Sequence, residues 1–125
     1  MTNAPVGNAP ALVDTDVATW LLTDAAQAEP WKVILRGRLL GISFATFGEL
    51  MALPYVKGWQ DARTQDWEDA IRRTFVVLPY NAQIAKLWAP MHVKLKGHLH
   101  AQGTNDLWTA ATALAADPPL PIATG

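Results

Sequence analysis

Short, largely apolar runs alternate along the chain with longer segments in which apolar residues recur every three or four positions. The apolar runs fall at residues 11–13, 40–44, 75–78 and 120–123 and predict strands; 75–78 is strongly β-prone and is followed by Pro79. Between them the spacing predicts a helix over 17–24 with Thr15 or Asp16 as N-cap, and a second over 30–38 with Pro30 in its first turn. A third covers 47–57, capped by Thr46, and Pro54 is expected to bend or break it. Residues 60–73 are amphipathic, with Trp67, Ala70 and Ile71 on one side. A long helix is expected over 82–98, with Ile84, Leu87, Trp88, Met91 and Leu95 at helical spacing and a kink at Pro90. Residues 102–104 read as a loop, and 105–116 as an Ala-rich helix ended by Pro118 and Pro119. Strands alternating with helices imply an α/β fold, a parallel sheet covered on both faces.

At 125 residues the chain is expected to form one domain over 11–125, preceded by a loose lead-in over 1–10 rich in Asn, Pro and Gly. Half of the residues are hydrophobic and 17% are charged, which makes a globular, non-disordered class the default. A net charge of -1 gives no general basic surface for nucleic acid, although a local one stays open. The absence of cysteine excludes disulfides, thiolate ligands and thiol nucleophiles. No apolar stretch approaches the roughly 18 residues of a membrane span, and residues 1–10 lack the features of a signal peptide, so a cytoplasmic location is expected.

Three carboxylates stand where apolar neighbours should draw them inward. Asp14 ends the run 11–13, Glu49 lies in Ser43-Phe44-Ala45-Thr46-Phe47-Gly48-Glu49-Leu50, and Asp106 opens the Ala-rich helix after Asn105. A carboxylate among apolar residues is costly unless it is paired or binds a cation. In parallel sheets ligands bind beyond the carboxyl ends of the strands. Asp14 is at such an end, Glu49 follows one, and Asp106 meets a helix N-terminus, so all three can converge on one oxygen-lined metal site. Oxygen-only ligands select Mg²⁺ or Mn²⁺ over zinc.

The segments Val13-Asp14-Thr15-Asp16, Phe47-Gly48-Glu49-Leu50 and Asn105-Asp106-Leu107-Trp108-Thr109-Ala110-Ala111-Thr112-Ala113-Leu114 resemble the acidic motifs of PIN-domain ribonucleases, above all the VapC-type toxins of bacterial toxin–antitoxin pairs. The third is the most specific, and Phe75-Val76-Val77-Leu78-Pro79-Tyr80 resembles the family's central strand. The resemblance spans about residues 12–124. It implies a three-layer α/β/α PIN-like domain that hydrolyses RNA with Mg²⁺ or Mn²⁺ in an acidic pocket. Asp14, Glu49 and Asp106 would be the catalytic, metal-holding acids, with Asp16 a further ligand and Thr15, Asn105 and Thr124 in support. It also implies a VapB-like antitoxin whose tail covers the pocket, and a homodimer. The family's further polar or acidic motif is expected after Ile122-Ala123-Thr124, so that motif, a closing strand and a terminal helix are expected to be missing from these residues.

Each acid also has a plainer reading: Asp14, Asp16 and Asp106 as helix caps, and Glu49 as a first-turn acid. His98 and His100, with His92 nearby, alternate beside Lys94 and Lys96 without an acid, which reads as a solvated segment rather than a zinc site. Arg36, Arg38, Arg72 and Arg73 read as solvated helix faces, and Trp88 and Trp108 as packing residues. Trp20, Leu21, Trp31, Ile34 and Leu35 read as core, the alternative being a partner groove. Two other functions compete. One is a degenerate PIN domain that only binds an antitoxin. The other is a haloacid-dehalogenase-type phosphatase using Asp14-Thr15-Asp16, for which a suitably placed Lys and a later acidic pair are missing.

Overall fold

The computed structural model describes residues 9–95 and 103–125. The expected lead-in therefore lies outside the described residues except for Ala9 and Pro10, as do Lys96, His98 and His100.

Four strands, β1 (Ala11–Val13), β2 (Leu40–Ser43), β3 (Val76–Leu78) and β4 (Ile122–Ala123), form one sheet in the order β3-β2-β1-β4. Every ladder is parallel, and Leu12 of β1 stands level with Gly41 on one side and Ile122 on the other. The helices are α1 (Thr15–Thr23), α2 (Ala28–Ile34), α3 (Phe44–Lys57), α4 (Asp61–Thr74), α5 (Ala82–Leu95) and α6 (Gly103–Ala115). Helices α1 to α4 pack on one another, while α6 lies on β2 and β4 with α5 against it.

The strands are almost wholly apolar, with Ser43 the exception, and the inner strands β1 and β2 are buried along nearly their whole length. Val13, Ile42, Val17, Ala18, Leu50 and Ile71 are fully or almost fully buried in one cluster. Leu12, one residue away, projects to the opposite face, where its Cδ1 would lie 3.5 Å from a Cβ at Gly41. Each aliphatic side chain buried this completely contributes about 1.5–3 kcal/mol of transfer free energy.

The expected elements are all present; β1, β2 and α5 start where expected, at Ala11, Leu40 and Ala82, while the starts of α1, α2, α3 and α6 move. Helix α1 starts at Thr15 because Asp14, rather than Thr15 or Asp16, is its N-cap: Asp14 Oδ1 accepts the Val17 N–H at 2.9 Å. Helix α3 starts at Phe44, since Ser43 Oγ accepts the Thr46 N–H at 3.0 Å and takes the cap assigned to Thr46. Helix α2 covers Ala28–Ile34 instead of 30–38, and α6 begins at Gly103 inside the expected loop. In both corrected caps the strand's last residue turns directly into the helix, so no connecting residues intervene.

Pro54 does not break α3. A proline in a helix leaves the carbonyl four residues earlier without its N–H donor. Here that carbonyl belongs to Leu50, and the Trp67 indole N–H of α4 donates to it at 2.8 Å. The orphaned acceptor thus becomes a link between α3 and α4, and both Pro54 and Trp67 are buried.

Replacing Trp67 by Phe should therefore destabilise the protein by about 1–3 kcal/mol, since it leaves a buried carbonyl unpaired. The double variant Trp67→Phe, Pro54→Ala should be more stable than the two single effects predict, because an alanine in place of Pro54 returns an N–H to the Leu50 carbonyl. Urea unfolding of all four proteins measures this coupling, and strict additivity would refute the account.

Candidate active site

The side chain of Asp14 is fixed from two directions. It leaves the end of the internal strand β1, and its own N–H donates to the Ala123 carbonyl of β4 at 3.0 Å. Its Oδ1 caps α1 while Oδ2 accepts the Gly125 N–H at 3.1 Å. Only 7% of the residue is exposed. Burial pushes its carboxyl pKa upward, the hydrogen bonds from Val17 and Gly125 pull it back, and the nearby charges of Asp16 and Asp106 raise it further. The net shift is upward. Asp14, Asp16 and Asp106 thus share one electrostatic neighbourhood.

Glu49 belongs to a second group of side chains. Its Oε1 accepts the Thr15 hydroxyl at 2.6 Å and also the Asn105 side-chain N–H. Asn105 Nδ2 donates to Thr15 Oγ1 at 2.6 Å, and the Thr46 hydroxyl lies 3.2 Å from the same oxygen. Residues from α1, α3 and α6, separated by as many as 90 positions in sequence, meet at the Thr15 hydroxyl. Thr15 is also the residue next to Asp14, so the two groups adjoin. Asn105 Oδ1 is buried and without a hydrogen-bond partner.

Among the described residues no three acidic or histidine side chains are drawn closely enough to enclose an ion unaided. The acids instead form two adjoining groups, Asp14 with Asp16 and Asp106, and Glu49 with Thr15 and Asn105. Asp16, Glu49 and Asp106 are exposed. Thr124 is exposed too, and it is its neighbour Gly125 that reaches Asp14. Sequence reasoning missed the Gly125 N–H, because backbone donors carry no sequence signal. It also gave Thr46 a capping role, whereas its hydroxyl lies beside Thr15. The available donors are all oxygens, and the unpartnered Asn105 Oδ1 together with the raised Asp14 carboxyl suits a hard divalent cation.

A family model described as PIN domain matches residues 11–120. The chain belongs to the PIN-domain family. Membership places it among nucleases and confirms the α/β/α architecture around a parallel sheet. It sets aside the phosphatase reading. Among solved structures the chain is similar to VapBC2 from Rickettsia felis bound to a DNA fragment from its promoter, with 14% identity and a TM-score of 0.67, over 92% of this chain and 98% of that one. It is similar to VapBC-1 from nontypeable Haemophilus influenzae at 23% identity and a TM-score of 0.66, covering 91% and 96% of the two chains. A toxin–antitoxin complex from Klebsiella pneumoniae aligns at 23% identity and a TM-score of 0.60, over 90% and 82%. At these identities the likeness establishes the fold. No curated protein matches the sequence.

The raised Asp14 pKa fixes a sign. The folded protein binds this proton more tightly than the unfolded chain, so ionising Asp14 opposes folding. The penalty is absent below the unfolded pKa of about 4 and grows as pH rises through the higher folded value. In EDTA at neutral pH, Asp14→Asn should melt above the wild type, since the Asn oxygen keeps the N-cap and the exposed Gly125 N–H, which loses its acceptor, can turn to water. The gap should close on acidification below about pH 4. A gap that is independent of pH would contradict this electrostatic account.

Proposed function

We propose that the protein is a metal-dependent ribonuclease, the toxin of a type II toxin–antitoxin pair, acting in the cytoplasm with Mg²⁺ or Mn²⁺. The observation that carries this reading is the buried Asp14, fixed at the end of β1 with Asp16 and Asp106 beside it and Glu49 adjoining through Thr15. Asp14, Glu49 and Asp106 would hold the cation, with Asp16 as a further oxygen ligand. A divalent cation supplies charge neutralisation at the cleaved phosphate and an acidified attacking water. The protein's own part is placement. Asp14 cannot swing away, because two N–H groups hold it, and Asn105 and Thr15 orient Glu49. Thr124, next to Gly125, would orient water or phosphate. Acids alone repel RNA phosphates, so substrate binding should depend on the cation.

The partner would be a VapB-like antitoxin whose tail covers the acids, a basic side chain taking the cation's place, and the toxin would pair as a homodimer. The similar structures from Rickettsia felis and Haemophilus influenzae are VapBC proteins, and that from Klebsiella pneumoniae is a toxin–antitoxin complex, which supports this partner. Because no three acids enclose an ion unaided among the described residues, a second reading stands, a PIN domain that binds antitoxin without cleaving.

Incubation of the protein with RNA in Mg²⁺, Mn²⁺ or EDTA separates the two. Cleavage should require the cation and should fall by roughly a hundredfold or more in Asp14→Asn and Asp106→Asn. Cleavage that survives EDTA, or that is equal in all three proteins, would remove the mechanism, and no cleavage by wild type would favour the binding module.

A further inference from the structure

A run of five aromatic rings crosses the helices next to the acids. Tyr80 meets Phe44 edge-to-face at 5.7 Å, and Phe44 meets Trp108 at 5.4 Å. Trp108 stacks on Trp88 at 4.6 Å with planes 6° apart, and Trp88 stacks on His92 at 4.4 Å. The inner three rings are half-buried, while Tyr80 at the end of the run is 54% exposed. Packing alone explains the inner rings. Tyr80 differs from them in being both anchored, on Phe44, and half open to water at the rim of the sheet.

Position gives that ring a use. Tyr80 lies two residues beyond the carboxyl end of β3, and β3 and β2 end level, with Leu78 opposite Ser43. Asp14 follows β1, the next strand but one, on the same edge of the sheet. Two strand spacings come to about 10 Å. That is a distance which a base neighbouring a phosphate held at Asp14 can cover. The turn carrying Tyr80 is stiff: Pro79 restricts the backbone before it, and Asn81 after it caps α5, accepting the Ile84 N–H at 3.0 Å. Helix α5, which begins directly after Asn81, carries the exposed Lys86 and Lys94 and no Asp or Glu, so it adds no negative charge beside the ring.

We propose that Tyr80 stacks an unpaired nucleobase next to the phosphodiester to be cleaved, and so decides which single-stranded sites enter the acidic pocket. The proposal rests on the ribonuclease reading. Stacking tolerates many bases, because each has an aromatic face. Tyr80 would therefore demand an unpaired base rather than one particular sequence.

The test uses a short single-stranded RNA with Mg²⁺, and a set of copies carrying one abasic residue moved along the strand. Tyr80→Ala should lower kcat/KM by about tenfold and Tyr80→Phe should stay near wild type, since the ring and not the hydroxyl stacks. One abasic position should cost the wild type a similar factor and cost Tyr80→Ala nothing more. Full activity in Tyr80→Ala, equal loss in Ala and Phe, or additive losses at every abasic position would each overturn the proposal. Should the wild type cleave nothing, the ribonuclease reading fails by itself. The same proteins and RNAs are then compared by fluorescence anisotropy. Weaker binding by Tyr80→Ala that is blind to the abasic position upholds the platform, and equal binding overturns it.

Discussion

The Asp14 carboxylate is the constraint on which the rest of this structure turns. It closes β1, caps α1, and receives the N–H of Gly125 just beyond β4. A single side chain therefore fixes the angle at which the first helix leaves the sheet and the position of the last described residues. The two hydrogen bonds offset only part of the cost of burying it, and its pKa remains raised. Such a group is a poor choice for stability alone. A neutral Asn or Ser would cap the helix without a buried charge. The excess cost makes sense where the charge itself is used.

Much of this was legible in the sequence. The apolar runs located all four strands, and the alternation with helices implied the parallel sheet, because both patterns come from burial, which is written residue by residue. The starts of α5 and α4 were legible too, but those of α1 and α3 were not. Ser43 and Asp14 belong at once to a strand end and a helix cap; the sequence offers Asp14 as a cap beside Thr15 and Asp16, but nothing in the local pattern marks Ser43 as one. Pro54 failed as a helix breaker for a similar reason. The donor that satisfies Leu50 comes from Trp67, 17 residues onward, and no local rule sees it.

The site divides in the same way. Asp14, Glu49, Asp106 and their neighbours Thr15 and Asn105 stand out as residue types in particular surroundings. What links them is tertiary. The Thr15 hydroxyl is met by Asn105 from 90 residues away and by Glu49 from 34. The identity of these residues could be read, but whether they adjoin as one tight cluster or as two groups could not. That depends on side-chain directions set by three different helices.

The acids differ in exposure, and this difference has a chemical meaning. Asp14 is buried and doubly held, whereas Glu49 and Asp106 are exposed. Water screens the exposed carboxylates, so most of the cost of bringing acids together falls on the one residue that the strand and helix hold in place. The α1 and α6 N-termini lower that cost, since both present partial positive charge to this edge of the sheet. One buried acid fixed by the backbone, beside exposed acids on neighbouring helices, gives a ligand one set oxygen position around which the others are arranged. The aromatic run at Tyr80 complements this arrangement. It offers an uncharged and rigid surface beside a charged one, so a polyanion with flat bases finds an attractive contact that the carboxylates cannot provide.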